Sequence, residues 1–265
     1  MERPSGELTL HYGKLRLALR PAEPNVYYTT YFAGEYDYLR IGPGDVVLDA
    51  GANVGDFAVL ASGLVGPQGR VIAVEPNPSS LKLMRINLQR NSANNVTVVN
   101  KFISDRKKVV EVKDVGTYTV TTGSTEPDSR STEASDLDSI LASLSVARVD
   151  VAKIDIEGME DAAIRDQRYL DQVRELAIEV HSRSLETQVL QRLNERGFES
   201  EIIDGSRLYR NFVRNFLSHP ISYLRAELAT KGFGMRAIWQ LLRGKNPIGL
   251  ASPESEIRLY HAWRK

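Results

Sequence analysis

Apolar positions along this chain fall into short runs whose spacing alternates between two periods. Leu8, Leu10, Leu15, Leu17 and Leu19 alternate, which predicts an N-terminal strand pair. Residues 25–40 are rich in tyrosine and predict a short helix over a pocket, and Ile41-Gly42-Pro43-Gly44-Asp45 predicts a turn. Val46-Val47-Leu48 then reads as a buried strand, and Phe57, Val59 and Leu60 as the apolar side of a helix. Further strands are expected at 71–75, 96–99, 149–156 and 176–180, with closing strands near 198–203 and 256–262. Helices are expected at 81–89, 158–170 and 185–196, a hairpin at 109–112 and 118–121, and a polar loop at 122–136. Strands alternating with helices predict an α/β fold with a doubly wound, mainly parallel sheet of seven main strands. The expected organisation is one domain over 1–265. Residues 1–40 supply the N-terminal strands and a cap, and 204–255 a helical C-terminal insertion or lid.

The join between the first main strand and its helix carries the chemistry. Asp49-Ala50-Gly51-Ala52-Asn53-Val54-Gly55 places a carboxylate at a strand end, then a glycine turn. Gly51 and Gly55 are expected to let the backbone approach a ligand, with free helix N–H groups nearby. Counted from Gly51, a dinucleotide fingerprint needs glycine where Asn53 and Asp56 stand, and no Gly-Lys-Ser/Thr tripeptide occurs. A carboxylate such as Asp49 would repel a pyrophosphate but accept from an ammonium. S-adenosylmethionine (SAM) has an ammonium, a carboxylate and a sulfonium but no phosphate, so it suits the loop better than NAD or ATP. Glu75, ending the second strand before Pro76-Asn77-Pro78, can accept both hydroxyls of a ribose.

Composition adds limits. The 265 residues are 42% hydrophobic, enough for a full core, and 34 basic residues balance 34 acidic ones. There is no cysteine, which excludes disulfides, thiolate metal sites and a thiol nucleophile. The N-terminus lacks an apolar signal core and no run approaches the roughly 20 apolar residues of a spanning helix. A cytoplasmic enzyme is expected.

Val74-Glu75-Pro76-Asn77-Pro78, Ile103-Ser104-Asp105, Leu137-Asp138-Ser139 and Lys153-Ile154-Asp155-Ile156-Glu157-Gly158-Met159-Glu160 follow the glycine loop in order. Together these motifs resemble the FkbM family of SAM-dependent methyltransferases, over about residues 30–200 and again at Tyr260-His261-Ala262-Trp263. The resemblance implies a class I, Rossmann-like core and O-methylation of hydroxyls on sugars of glycans or on polyketide-like molecules. It implies that Gly51, Asn53 and Gly55 surround the methionine part of SAM. Glu75, with Asn77 beside it, falls at the ribose, and Ser104 and Asp105 at the adenine edge. Glu35 is read as a further carboxylate within reach of the ammonium.

Methyl transfer from a sulfonium is an in-line displacement, and an aliphatic hydroxyl needs a base to become a good nucleophile. Asp155, Glu157 and His181 stand at the ends of the fourth and fifth strands and are expected to face the acceptor, with His181 as base. Helix-start chemistry for the carboxylates and a backbone-bonded histidine are the bland alternatives. An Mg²⁺ site from Asp155, Glu179 and His181 is another, although no metal is assigned. Lys153, inside a strand, is expected to snorkel or to pair with a carboxylate.

Residues 205–245 carry eight basic residues against one acidic, Glu227, with Leu208, Phe212 and Phe216 at helical spacing. A substrate lid packed on the core is one reading. The sharper one is a peripheral contact with an anionic membrane or a lipid-linked glycan. No nucleic-acid partner is expected. The rivals to a methyltransferase are an NAD-dependent oxidoreductase or epimerase, and a non-catalytic scaffold retaining the fold.

Overall fold

The computed structural model describes residues 7–115, 118–121, 129–242 and 257–264. The chain opens with β1 (Leu8–Tyr12) and β2 (Leu15–Leu19), an antiparallel pair, followed by α1 (Asn25–Tyr27) and a π-helical turn, Tyr28–Ala33. The main sheet holds β3 (Val46–Ala50), β4 (Arg70–Val74), β5 (Val96–Val99), β10 (Val151–Ile154), β11 (Glu175–Val180), β12 (Glu199–Ile202) and β13 (Arg258–Trp263). Its order is β12-β13-β11-β10-β3-β4-β5, parallel except that β13 runs antiparallel between β11 and β12. The seven expected main strands are therefore present, in a doubly wound arrangement.

Helices α2 (Asp56–Val65), α3 (Pro78–Arg90), α4 (Leu137–Ser143), α5 (Glu160–Ile164) and α6 (Arg183–Glu195) connect the strands. Val47, Leu48, Ala50, Val71, Ile72, Val74, Val151 and Ile154 are all buried, because helices cover both faces of a parallel sheet. Two apolar layers result, one beneath α4 to α6 around Leu48, Ile72 and Ile178, the other beneath α2 and α3 around Val47, Val71 and Ala177.

Two expectations about elements change. The polar stretch expected as a loop contains β9 (Ser129–Ser135), part of a second sheet with β6 (Phe102–Ile103), β7 (Lys108–Val115) and β8 (Tyr118–Thr121) in the order β6-β9-β7-β8. Ala134 is the one apolar residue of β9, so backbone pairing with β7, not an apolar face, makes it a strand. Residues 122–128 of that expected loop lie outside the described residues. The helix expected at 158–170 is instead α5 and a 3₁₀ turn, Arg168–Gln172, separated at Asp166, whose φ of 54° cannot continue a helix.

The C-terminal segment forms α7 (Gly205–Ser218), α8 (Pro220–Ala229) and α9 (Phe233–Leu242). Phe212, Phe216 and Tyr223 pack with Tyr27, Tyr28, Tyr31 and Phe32 into an aromatic cluster that joins this segment to the N-terminal strands, while Leu208 packs into the layer beneath α2 and α3. Trp239, Arg243 and Lys245 of that segment lie outside the described side chains. Among the described residues, no helix is long and apolar enough to cross a membrane.

Candidate active site

The strand order reverses between β3 and β10, and the crevice at their C-terminal ends is where open α/β sheets hold ligands. The glycine loop leaves β3 there. Gly51 and Ala52 both donate to the Val74 carbonyl at 3.0 Å, which ties the loop to β4. Gly51 has φ 80° and Gly55 φ 78°, so both need glycine. Their steric reason differs from the one expected. A Cβ on Gly51 would lie 1.7 Å from the Asp155 carbonyl oxygen, and one on Gly55 2.6 Å from Met84 Cγ. The glycines make room for neighbouring backbone and for α3, and Gly51 also lines the adjoining cavity.

Asp49 also has a different partner from the one foreseen. Lys153 sits opposite it in the β3–β10 ladder, with Nζ 3.3 Å from Asp49 Oδ1 and 3.5 Å from Asp155 Oδ2. The same ammonium donates to the Gly51 carbonyl at 2.5 Å. Burial pushes the Asp49 carboxyl up, and Lys153 pulls it part of the way back. Burial alone would lower Lys153, but Asp49, Asp155 and Asp56 outweigh it and keep the ammonium charged. The ammonium that Asp49 accepts is therefore the chain's own, and of the two readings of Lys153 the carboxylate pair holds.

Beyond the loop lies a cleft lined by Gly51, Asn53, Glu75, Phe102, Ile103 and Thr119, among others. Glu75 accepts from Asn53 N at 2.8 Å and Asn77 N at 2.7 Å, and burial raises its pKa to about 7. Each oxygen keeps a lone pair for a further donor. The Asn77 side chain caps α3, accepting from Ser79 N and Ser80 N, so it supports the Glu75 turn. Ser104 and Asp105 turn elsewhere. The Ser104 hydroxyl donates to the Arg106 carbonyl at 2.6 Å, and Asp105 pairs with Lys108 at 2.7 Å on the surface. Phe102, Ile103 and Thr119 form the wall in their stead. The apolar pair just before Ser104 was the available signal for two of them.

A second, open cavity adjoins the first, and Asn53, Asp155 and Glu157 line both. Its other walls include Glu35, Tyr36, Asp56, Lys153, Glu179 and His181. The Thr30 hydroxyl lies 2.6 Å from Asp56 Oδ2 and 3.1 Å from Glu35 Oε1. Burial lifts Asp56 to about 6, with Lys153 opposing and Asp49 adding to the rise, and lifts Glu35 to about 8, with Asp56 and Asp155 adding to it. Burial likewise raises Glu157, and it raises Glu179 well above the carboxylate range.

Asp155, Glu157 and His181 are brought together as expected: one ligand atom from each lies within 4.8 Å of the others. Asp155 follows β10, its N–H bonded to the Ala50 carbonyl at 3.0 Å. Glu157 turns inward with φ 47°. His181 follows β11, with Nδ1 2.6 Å from Glu160 Oε1 and Nε2 3.3 Å from Glu157 Oε2. Burial by itself pulls the imidazole down. The Glu160 hydrogen bond and the charges of Asp155, Glu179 and Glu157 overcome it and push it up to about 10. Glu160 and Asp56 are site residues that sequence reasoning passed over, the first quoted only within a motif and the second only as a departure from one.

This cleft suits a nucleoside bearing a cationic tail. Glu75, Phe102 and Ile103 line one part of it, and Glu35, Asp56 and Asp155 line the other. The same carboxylates would repel a pyrophosphate, which argues against the NAD reading. Fold and site together have the layout of a class I, Rossmann-like methyltransferase core.

The profile described as Methyltransferase FkbM domain matches residues 49–200, more than half of the chain. The chain belongs to this family. It is 39% identical over 59 residues to an arsenite methyltransferase of Halobacterium salinarum, covering 22% of this chain and 15% of that protein. It is 39% identical over 64 residues to a protein-L-isoaspartate O-methyltransferase of Methanococcoides burtonii, covering 24% and 32%. The chain thus spans a third or less of the length of these curated relatives. The crystal structure of methyltransferase FkbM from Methylobacillus flagellatus KT superposes with a TM-score of 0.48 at 19% identity, covering 67% of this chain and 46% of that one.

Proposed function

We propose that this protein transfers a methyl group from SAM to a hydroxyl of a small-molecule acceptor, a sugar of a glycan or a polyketide-like compound. The observation that carries the reading is the position of Asp155 and Glu157, which line both cavities at their junction. The Glu75 side of the cleft would hold the adenosine part, and Glu35 and Asp56 the cationic end. When bound, SAM supplies an electrophilic methyl group on a sulfonium. The chain's own residues do the rest. Glu157 stands partly exposed at the junction, and burial raises its pKa, which makes it a stronger base toward a hydroxyl proton than an ordinary carboxylate. His181, charged at neutral pH, is poorly suited to that task and instead orients Glu157 and Asp155.

The test is calorimetric titration with SAM, S-adenosylhomocysteine and NAD, followed by transfer of labelled methyl to panels of hydroxylated glycans and polyketides. Glu75→Ala should weaken adenosyl binding at least about tenfold, as expected for loss of a charged hydrogen-bond partner. Glu157→Gln should bind normally and lose about 10²–10⁴ in turnover. Failure to bind either adenosyl compound would favour the scaffold reading.

The basic C-terminal segment supports a peripheral encounter with an anionic membrane or a lipid-linked acceptor. Val213, Leu217, Ile221, Leu224 and Leu228 are exposed on α7 and α8, with Arg210, Arg225 and Lys231 in the same helices or just beyond them.

A further inference from the structure

The second cavity gathers more carboxyl groups than basic ones. Glu35, Asp56, Asp155, Glu157 and Glu179 line it against Lys153 and His181. Lys153 is already engaged by Asp49, Asp155 and the Gly51 carbonyl. His181 is fixed from one side. Glu160, fully buried on α5, holds Oε1 2.6 Å from His181 Nδ1, and the same oxygen accepts from Gly158 N at 2.8 Å. Among the described residues its second oxygen, also buried, has no hydrogen-bond partner. A carboxylate placed this way behind a histidine sets the tautomer with the proton on Nδ1 and raises the basicity of the far nitrogen.

That far nitrogen, Nε2, faces three more oxygens: Glu157 Oε2 at 3.3 Å, Asp155 Oδ1 at 3.7 Å and Glu179 Oε1 at 3.8 Å. With Nδ1 donating to Glu160, Nε2 and these oxygens converge on one point that either a proton or a metal ion can occupy. A proton on Nε2 serves one oxygen at a time, whereas a metal ion can serve several. One atom each from Asp155, Glu157 and His181 lies within 4.8 Å of the others, the span expected around an ion with bonds of roughly 2.0–2.6 Å.

We propose that Asp155, Glu157 and His181 form a binding site for a hard divalent cation of the Mg²⁺ or Mn²⁺ kind, with Glu160 as the positioning residue behind the imidazole. Two carboxylates and one imidazole leave coordination positions open toward the cavity for oxygen ligands. Its role rests on the O-methyl-transfer reading: an acceptor hydroxyl entering the coordination shell would be made more acidic. Each carboxylate lends one oxygen, so the other oxygen of Glu157 stays available for the hydroxyl proton.

The site is tested on the full chain without acceptor, by titrating Mn²⁺ and following loss of the free-ion EPR signal, with Mg²⁺ as competitor. One Mn²⁺ per chain is expected, displaced by Mg²⁺. Asp155→Asn and Glu157→Gln should each abolish saturable binding, and Glu160→Gln should weaken it about 10–100-fold. Glu133→Gln, an exposed carboxylate on β9, should leave it unchanged. Glu157 is partly exposed, so its variant stays informative should Asp155→Asn fail to fold. No saturable binding at millimolar Mn²⁺, or binding that survives both ligand variants, would overturn the site. S-adenosylhomocysteine binding on the same samples separates the two ideas. Adenosyl binding without Mn²⁺ binding removes the cation site alone, and Mn²⁺ binding without adenosyl binding removes the methyltransferase reading while the site stands.

Discussion

At the residue scale, two glycines that look alike in sequence differ in what surrounds them. Gly51 and Gly158 both have positive φ, 80° and 91°. A Cβ at Gly51 runs into the Asp155 carbonyl, whereas Gly158 has open space around it. Gly158→Ala should therefore cost only backbone strain, about 1–2 kcal/mol. Gly51→Ala should cost more and also displace Asp155, so its turnover should fall further than its melting temperature accounts for. Equal effects of the two variants, measured by thermal melts and methyl transfer, would contradict this account. Lys153 gives a second case. Lys153→Met leaves Asp49 fully buried without its counter-charge, which should destabilise by about 3–5 kcal/mol. Adding Asp49→Asn should recover much of the loss. A double-mutant cycle by urea unfolding with near-zero coupling would show that the pair is not a unit. The sequence announced that Lys153 was odd inside a strand. It could not name Asp49 as the partner, because that needs the β3–β10 register.

At the scale of elements, α7 and α8 present an exposed apolar row that the core does not use. Leu217 is 70% exposed and Leu228 83%, while Leu208 and Tyr223 on the same two helices are buried in the body of the protein. The helices are thus amphipathic twice over, with one apolar side packed and another free. Sedimentation with acidic vesicles should be strong at low salt and weaken as salt screens the basic residues. Replacing Leu217, Leu224 and Leu228 together by serine should remove it without moving the melting temperature by more than a degree or two, since exposed side chains contribute little to stability. Equal sedimentation with neutral vesicles, or a variant that still sediments, would sink the idea. The helical spacing of Leu208, Phe212 and Phe216 made α7 legible beforehand. The strand at 129–135 was not, since a pairing partner, not its own apolar pattern, decides it. The rim residues were legible because strand ends in a parallel sheet fall on one edge. Ser104 and Asp105 were misplaced for a related reason: the order of motifs gives which loop lies near the cleft, not which of its side chains turn inward.

At the scale of the whole molecule, buried acids make stability and ligand binding respond to pH in opposite directions. Burial raises Asp56 to about 6, Glu75 to about 7 and Glu35 to about 8. Around Glu75 the Asn53 and Asn77 N–H groups and Lys153 oppose the rise, and Asp49 adds to it. The folded chain therefore keeps protons that the unfolded chain has released between about pH 4 and 8, so stability must fall as pH rises through that window. Asp45 and Asp114 are lowered, despite burial, by Arg174 and Arg130, and their contribution is lost only at acid pH. His181 is raised, so its contribution is present below its ordinary value and fades toward pH 10, which steepens the alkaline decline. The ligand-free protein should melt highest near about pH 5 and progressively lower up to pH 8. A ribose donates to an ionised Glu75, so the stabilisation given by S-adenosylhomocysteine should grow over the same range. Glu75→Gln should flatten the growth of the ligand effect around pH 7. A melting temperature that is level from pH 5 to 8, or a ligand effect that shrinks as pH rises, would mean that Glu75 is not the acid the cofactor meets.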